Sequence, residues 1–385
     1  MQQAYIIQAK RTAIGKSGRG ALAQVRPDDL GAYVIQDILK NVPALDPKEI
    51  EDCVIGCSFP EGEQGMNVAK IMALRAGLPI DVCGVTVNRF CSSGLQAISM
   101  AADRIRLGEE DVMIGGGIES MSMVPMGGAK PAPNPYMIVN RPEGYISMGI
   151  TAENVATKYE VTRQQQDEFA ASSHKKAWAA QTSGRFDDEI VPVSLPTWGK
   201  PGEKWFSKDE GIRPETSAEF LAKLRPVFKA GGSVTAGNSS QTSDGAAMTL
   251  MMSERKTLSL GIKPLAIWRG FAVAGVEPEL MGIGPIKAIP KVLKQVGLTL
   301  DQIDLFELNE AFASQSLAIL KTLDIDPAKV NVNGGAIAFG HPLGCTGAKL
   351  TATLLSEMKK RKLKYGMVTM CIGGGMGAAG VYELL

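Results

Sequence analysis

The sequence predicts an α/β protein made of two similar halves, each a sheet covered by helices, with a long insertion in the first half. Three observations carry this reading. Apolar strand patterns alternate with helical patterns through both ends of the chain. The order of elements occurs twice: GVTVNRFCSSGLQAISM from Gly84 is answered by KVNVNGGAIAFGHPLGCTGAKL from Lys329, and DVMIGGGIES from Asp111 by MVTMCIGGGMG from Met367. The offsets agree roughly, 332 − 87 = 245 for the Val-Asn pairs and 373 − 115 = 258 for the glycine runs. Between the halves, residues 121–246 have a different character, with Pro125, Pro131, Pro133 and Pro135 close together and a long polar stretch. The expected boundaries are a first half over 1–120 completed by about 245–255, an insertion over 121–246, and a second half over 256–385.

Taken in order, AYIIQAKR is a strand and Gly15 to Gly20 a glycine-rich turn. Asp28 can cap the helix DLGAYVIQDILKN. LDPKEIEDCVIGCS reads as a helical turn leading into a strand, and MNVAKIMALRAG as a helix. Val85, Thr86 and Val87 read as the end of a buried strand, after which Ser92, Ser93 and Gly94 open a helix to about Leu107. The insertion carries a helix from about Thr151 to Tyr159, another over RQQQDEFAASSHKKAWAAQTSG, and the polar segment GKPGEKWFSKDEGIRPETSAEF. In the second half, PLAIWRGFAVAG is a strand and GPIKAIPKVLKQVG a helix. LTLDQIDLFELNEAF then repeats the pattern of LDPKEIEDCVIGCS.

Composition narrows the function classes. With 385 residues and 45% hydrophobic content the chain can bury a large core. A formal net charge of +1 gives no electrostatic case for nucleic acid or a membrane surface as partner. No 18-residue apolar stretch appears, so no membrane span is expected. No targeting signal is read at either end, and a reduced cytoplasmic setting fits best. The six cysteines are scattered; Cys53 and Cys57 read as strand core, because no second pair completes a zinc site. With only His174 and His341, a histidine-rich metal site is excluded, and no metal is expected.

The chemistry points to a few residues. Cys91 joins a strand to a helix, where unpaired backbone N–H groups and the helix dipole favour a thiolate. The competing role is a small buried hydrophobe. His341, in the glycine-crowded turn GHPLGCTGAK, takes the place in the second half that Cys91 holds in the first. A pseudo-twofold would bring it to the thiol as a base; otherwise it is a structural histidine. Cys371 ends the strand MVTMC before Gly373, Gly374 and Gly375, whose N–H groups can approach an oxyanion or simply form a tight turn. Asn309, in NEAF, can serve an oxyanion, cap a helix, or both.

These motifs together resemble the thiolase family over the whole chain. VNRFCSSGLQA, GGGIESMS, SVTAGNSSQTSDGAA, NEAFA, GHPLGCTGA and CIGGGMG occur in the family's order. The resemblance implies the thiolase fold, a duplicated α-β-α-β-α five-layer core with an inserted loop domain. It also implies that Cys91 accepts the acyl group and His341 activates it. Cys371 is then the acid/base, and Asn309 holds a water in one oxyanion hole. The N–H groups of Cys91 and Gly373 form the other. The implied substrates are acyl-CoA and CoA, with no cofactor. By motif position Ser240 meets the pantetheine arm and Arg213 the adenine. Leu224, Ala236, Met148, Met281, Ala311 and Phe312 fall at substrate-pocket positions.

The resemblance is to the degradative branch, which cleaves 3-ketoacyl-CoA. The biosynthetic, acetoacetyl-CoA-selective branch has a histidine where this chain has Ser147, and a longer excursion in place of residues 123–145. The expected assembly is a homodimer or homotetramer, with a hydratase/dehydrogenase partner open. The alternatives are a biosynthetic acetoacetyl-CoA thiolase and a non-catalytic CoA-binding scaffold; the latter has no need of Cys91, His341, Cys371 and Asn309 together.

Overall fold

The computed structural model describes residues 2–196 and 204–385. The start of the expected polar segment, residues 199–203, lies outside the described residues. Nine strands form the main path: β1 (Ala4–Thr12), β2 (Asp52–Gly56), β3 (Cys83–Val87), β4 (Val112–Ser120), β5 (Ser243–Ser253), β6 (Ala266–Gly275), β7 (Leu305–Leu308), β8 (Tyr365–Ile372) and β9 (Met376–Leu384). Their spatial order is β7-β8-β9-β6-β1-β5-β4-β2-β3. The longer helices are α1 (Pro27–Lys40), α2 (Val68–Arg75), α3 (Ser93–Leu107), α4 (Met148–Lys158), α5 (Arg163–Thr182), α6 (Gly284–Val296), α7 (Ala313–Leu323) and α8 (Leu343–Arg361).

The duplication is visible in the pairing. In the first half β1 and β5 are antiparallel, β5 and β4 antiparallel, and β4 and β2 parallel. In the second half β6 and β9, β9 and β8, and β8 and β7 repeat that series. β3, parallel to β2, is answered only by a parallel bridge from Phe306 to Val330. The halves join where β1 meets β6 at Tyr5↔Ile267 and Ile6↔Ala266.

Three apolar clusters give the layers. α1 and α2 cover the outside of the first half-sheet through Leu30, Ile35 and Met72. α3 and α8 lie between the half-sheets, with Leu95, Ile98, Leu350 and Leu354 against Met251 and Met370. α6 and α7 cover the far side through Ile289, Val292 and Ile319. The result is an α-β-α-β-α stack with helices on both faces of each half-sheet.

Where β8 turns into β9 through only Gly373–Gly375, β4 and β5 are separated by residues 121–242. The insertion therefore replaces a hairpin turn. It is tied back to β1 by Arg11, fully buried, which donates to Glu189 at 2.6 Å and to both oxygens of Asp209 at 2.8 and 2.9 Å. A buried guanidinium is tolerated because each charge finds its partner.

Three expectations are corrected. β3 is not buried: among the described residues it is the last strand of the sheet, and Cys83 and Val85 are exposed because no described strand lies beyond it. Asp28 does not cap α1, which begins at Pro27 with Arg26 at the cap. Asp28 sits in the first turn and pairs with Arg26 at 3.0 Å. The two glycine runs are not equivalent, since Gly115–Gly117 lie inside β4, paired with Thr249, Met248 and Ala247, whereas Gly373–Gly375 form a turn.

The run inside β4 serves close packing. A Cβ on Gly117 would lie 2.1 Å from the carbonyl oxygen of Gly344, at the start of α8. Backbone cannot yield as a side-chain tip can. Gly117→Ala is expected to destabilise the protein by about 1–3 kcal/mol, read as a lower midpoint in urea unfolding.

Candidate active site

Cys91 is held by an elbow between β3 and α3. Phe90 adopts φ +44°, a costly conformation for a side chain of its size. Three local bonds hold it there. Asn88 Oδ1 accepts from Phe90 N–H at 2.8 Å, Ser93 Oγ accepts from Arg89 N–H at 2.9 Å, and the Ser93 hydroxyl donates to the Phe90 carbonyl at 2.7 Å. A short 3-10 turn, Phe90–Ser92, then leads into α3. The thiol is buried with Met121, Leu343 and Phe59. Leu343 lies two residues after His341, so the elbow and the GHPLG turn meet.

The turn is clamped by Glu119, the last-but-one residue of β4. Its buried carboxylate accepts from Ser58 N–H at 2.8 Å, from Gly344 N–H at 2.7 Å, and from the Gln64 amide. His341 is buried too. Its Nδ1 lies 2.5 Å from Thr346 Oγ1, and the Thr346 hydroxyl donates to the Pro342 carbonyl at 2.9 Å. Thr346 has one proton and has spent it, so Nδ1 is the protonated nitrogen. Nε2 therefore carries the lone pair, and it accepts from Asn309 Nδ2 at 3.2 Å. Burial pushes the imidazole down to about 3, so it rests neutral.

Cys371, at the end of β8, is fully buried among Met281, Ala311, Phe312, Val234 and Ala152, with Met148 against them. Burial pushes this thiol far up, and the nearby Cys91 pushes it the same way. The backbone N–H groups of Gly373 and of Cys91 itself favour the Cys91 thiolate, against the larger effect of burial.

The expected thiolate is corrected. Desolvation pushes Cys91 up to about 11, and the two N–H groups only partly oppose it. A helix end is worth a fraction of a pKa unit to a few units, whereas removing water from a thiolate costs more here.

The remaining expected residues divide. The SVTAGNSS loop is pinned to the site: Ser240 N–H donates to the Ala311 carbonyl at 2.9 Å, and Ala313 N–H to the Asn238 carbonyl at 2.9 Å. Leu224 packs one cluster away, with Leu221, Ala170 and Ala313. Ala236 and Arg213 are exposed, and the Arg213 N–H donates to His174 Nδ1 at 3.1 Å. His174, pushed down to about 4 mainly by burial, is a neutral structural acceptor. Sequence reasoning missed Thr346, Glu119 and Gln315. Each acts through a partner that only the fold supplies. Among the described residues, no group of three or more His, Cys, Asp or Glu is arranged to hold a metal ion.

A thiol raised to about 11 makes a direct prediction. In the ligand-free protein, alkylation of Cys91 by iodoacetamide should rise about tenfold per pH unit from pH 7 to pH 10, following the thiolate fraction. Peptide mass spectrometry reads it site by site. A plateau near pH 7 would mean a resting thiolate–imidazolium pair instead.

Comparison with known proteins agrees with this geometry. Residues 4–255 match the model of the thiolase N-terminal domain, and residues 262–384 that of the thiolase C-terminal domain. The chain is 55% identical to the 3-ketoacyl-CoA thiolase of Bacillus subtilis (strain 168), covering 100% of both. It is 47% identical to the peroxisomal 3-ketoacyl-CoA thiolase 2 of Arabidopsis thaliana, over 98% of this chain and 83% of that protein. Among solved structures, the Bacillus anthracis acetyl-CoA acetyltransferase superposes with a TM-score of 0.92 at 43% identity, and human mitochondrial 3-ketoacyl-CoA thiolase with 0.92 at 37%. Each alignment covers 100% of this chain and 99% of the other. With the duplicated five-layer core and both halves matched, this chain belongs to the thiolase family.

Proposed function

We propose that this protein is a 3-ketoacyl-CoA thiolase, an acyltransferase that cleaves 3-ketoacyl-CoA with CoA in fatty-acid β-oxidation. The observation that carries the reading is the convergence of Cys91, His341, Asn309 and Cys371 in one buried site, with the Gly373 N–H on the nucleophile. The full-length relatives bearing that name support it.

The geometry suggests how the steps run. Cys91 attacks the 3-keto carbon as its proton passes to His341 Nε2, the unprotonated nitrogen, which gives up the bond it accepts from Asn309. Protonated Nε2 becomes a donor, and Asn309 Nδ2 loses its acceptor. Both N–H groups then serve the oxyanion, Asn309 through a water. The C2–C3 bond breaks, the carbonyl re-forms on Cys91 as a thioester, and the acetyl-CoA enolate takes the proton of Cys371. In the second half, the Cys371 thiolate takes the proton of an incoming CoA thiol. CoA sulfur attacks the thioester, and the N–H groups of Cys91 and Gly373 hold the second oxyanion. Collapse returns the Cys91 sulfur, which recovers its proton from His341. Met148, Met281, Ala311 and Phe312 wall the acyl end, and Ser240, with Arg213 further out, meets CoA.

Ser147 and the short 123–145 segment support the degradative direction. Condensation of two acetyl-CoA is the second reading, favoured by the likeness to the Bacillus anthracis acetyl-CoA acetyltransferase. Six free cysteines fit a reducing cytoplasm. Among the described residues no helix is long and apolar enough to cross a membrane. We also propose a homodimer. Among the described residues β3 is the last strand of the sheet, and Val85, Met66, Ile71, Leu74 and Ile80 are exposed on it and on the elements around it. Such an edge is an aggregation hazard unless covered, and a second copy about a twofold axis covers it symmetrically.

Thiolysis of 3-ketoacyl-CoA of increasing chain length should proceed well beyond acetoacetyl-CoA, followed as loss of enolate absorbance. Cys91→Ala should lower it at least about 10⁴-fold, as loss of a nucleophile does. Turnover of acetoacetyl-CoA alone would favour the second reading, and no turnover at any length would favour the scaffold. Light scattering should give a dimer, and Val85→Glu, placing charge on the edge strand, should give monomer.

A further inference from the structure

The Cys371 sulfur has one polar side chain against it that the reaction scheme does not use. Gln315, in the first turn of α7 and fully buried, places one atom of its carboxamide 3.4 Å from Cys371 Sγ. That same atom lies 3.2 Å from the carbonyl oxygen of Asn309. The other amide atom lies 2.8 Å from the N–H of Ser316 and 3.0 Å from its hydroxyl. A carbonyl only accepts and a backbone N–H only donates, so the assignment is forced. The oxygen of Gln315 faces Ser316, and its –NH2 faces Asn309 and Cys371. One N–H is used on the Asn309 carbonyl, and the second is left for the sulfur.

We infer that Gln315 is a positioning residue that holds the Cys371 thiolate between the two halves of the reaction. The inference rests on the acid/base role proposed for Cys371. After giving its proton to the enolate, Cys371 is an anion in a pocket of Met281, Ala311 and Phe312. Such a pocket offers it no solvation, and a donor aimed at the charged form favours that form. Gln315 also fixes the backbone of Asn309, so one carboxamide sets the oxyanion residue and the acid/base residue relative to each other. The site is tight. Gly282 packs against the base of the Gln315 side chain, since a Cβ there would lie 2.7 Å from Gln315 Cβ.

The test uses the full chain carrying Cys91→Ser, so that the nucleophile does not titrate, labelled with [3-¹³C]cysteine. The Cys371 signal is assigned by its loss in Cys371→Ser. Its Cβ shift is followed against pH in parallel with Gln315→Met, which keeps the volume and removes the donor, and Gln315→Glu, which adds a competing negative charge. The thiol-to-thiolate midpoint should move up by about one pH unit or more in the Met variant and further in the Glu variant. With Cys91 intact, Gln315→Met should lower kcat for thiolysis about tenfold or more and leave KM for CoA within about twofold, because the binding surface is untouched. An unmoved midpoint, or a Cys371 that stays thiol to the alkaline limit in all three proteins, overturns the inference. A shifted midpoint in a parent protein without thiolysis upholds the role of Gln315 toward Cys371 and removes the proposed reaction instead.

Discussion

Everything at the site depends on how closely two backbones approach in the middle layer. α3 and α8 begin side by side between the half-sheets, and glycine lines the seam. A Cβ on Gly94 would lie 2.9 Å from the Ala348 nitrogen, and one on Gly347 would lie 2.4 Å from the Leu95 nitrogen. Gly56, at the end of β2, is as close to Ser93. No side chain fits between these elements, so the two helix starts are locked in register. Glu119 then closes the seam with bonds to Ser58 and Gly344, one on each side. Cys91 and His341 meet because the chain leaves no space for them not to.

That constraint explains why the duplication matters to function and not only to architecture. Each half supplies a turn leading into a helix, entered from β3 in the first copy and from the single bridge at Val330 in the second, and the two copies face each other across the middle layer. The first copy contributes a cysteine and the second a histidine from equivalent turns. The second copy adds Asn309 and Cys371 from the ends of β7 and β8. In the first copy the place of the short β8–β9 turn is taken by the insertion, residues 121–242. The insertion instead returns the Ser240 loop to the site, bonded to Ala311.

The layered fold was legible because its signals are local. Apolar period, turn glycines and element order are properties of neighbours in sequence, and the repeat doubles each of them. Cys91, His341, Asn309 and Cys371 were legible for a related reason: each stands at a strand end or helix start beside crowded glycine or in a short distinctive motif. What was not legible depends on long-range contacts. Thr346 looks like an ordinary helix residue until its spent proton fixes the tautomer of His341. Gln315 follows NEAF by only a few residues, yet its role requires Cys371, 56 positions away. The exposure of β3 likewise depends on which strand lies beyond it. The thiolate expected at Cys91 failed because a local rule, the helix N-terminus, met a global quantity, burial.

That failure has a chemical consequence. In the resting site Cys91 and Cys371 are thiols and His341 is neutral, so the buried pocket holds no net charge of its own from these three groups. Charge appears only when substrate arrives and protons move. In the proposed reaction each anion, on the keto oxygen, on Cys371 or on the thioester oxygen, arises in a medium that screens weakly. A donor already in place, such as the Gly373 N–H, acts there at far greater strength than it would in water. A site kept ionised at rest would have to solvate those charges permanently, and its donors would be committed before the reaction began. Burial makes both cysteines poor acids alone, and the same burial makes each fixed N–H effective at the moment a proton leaves.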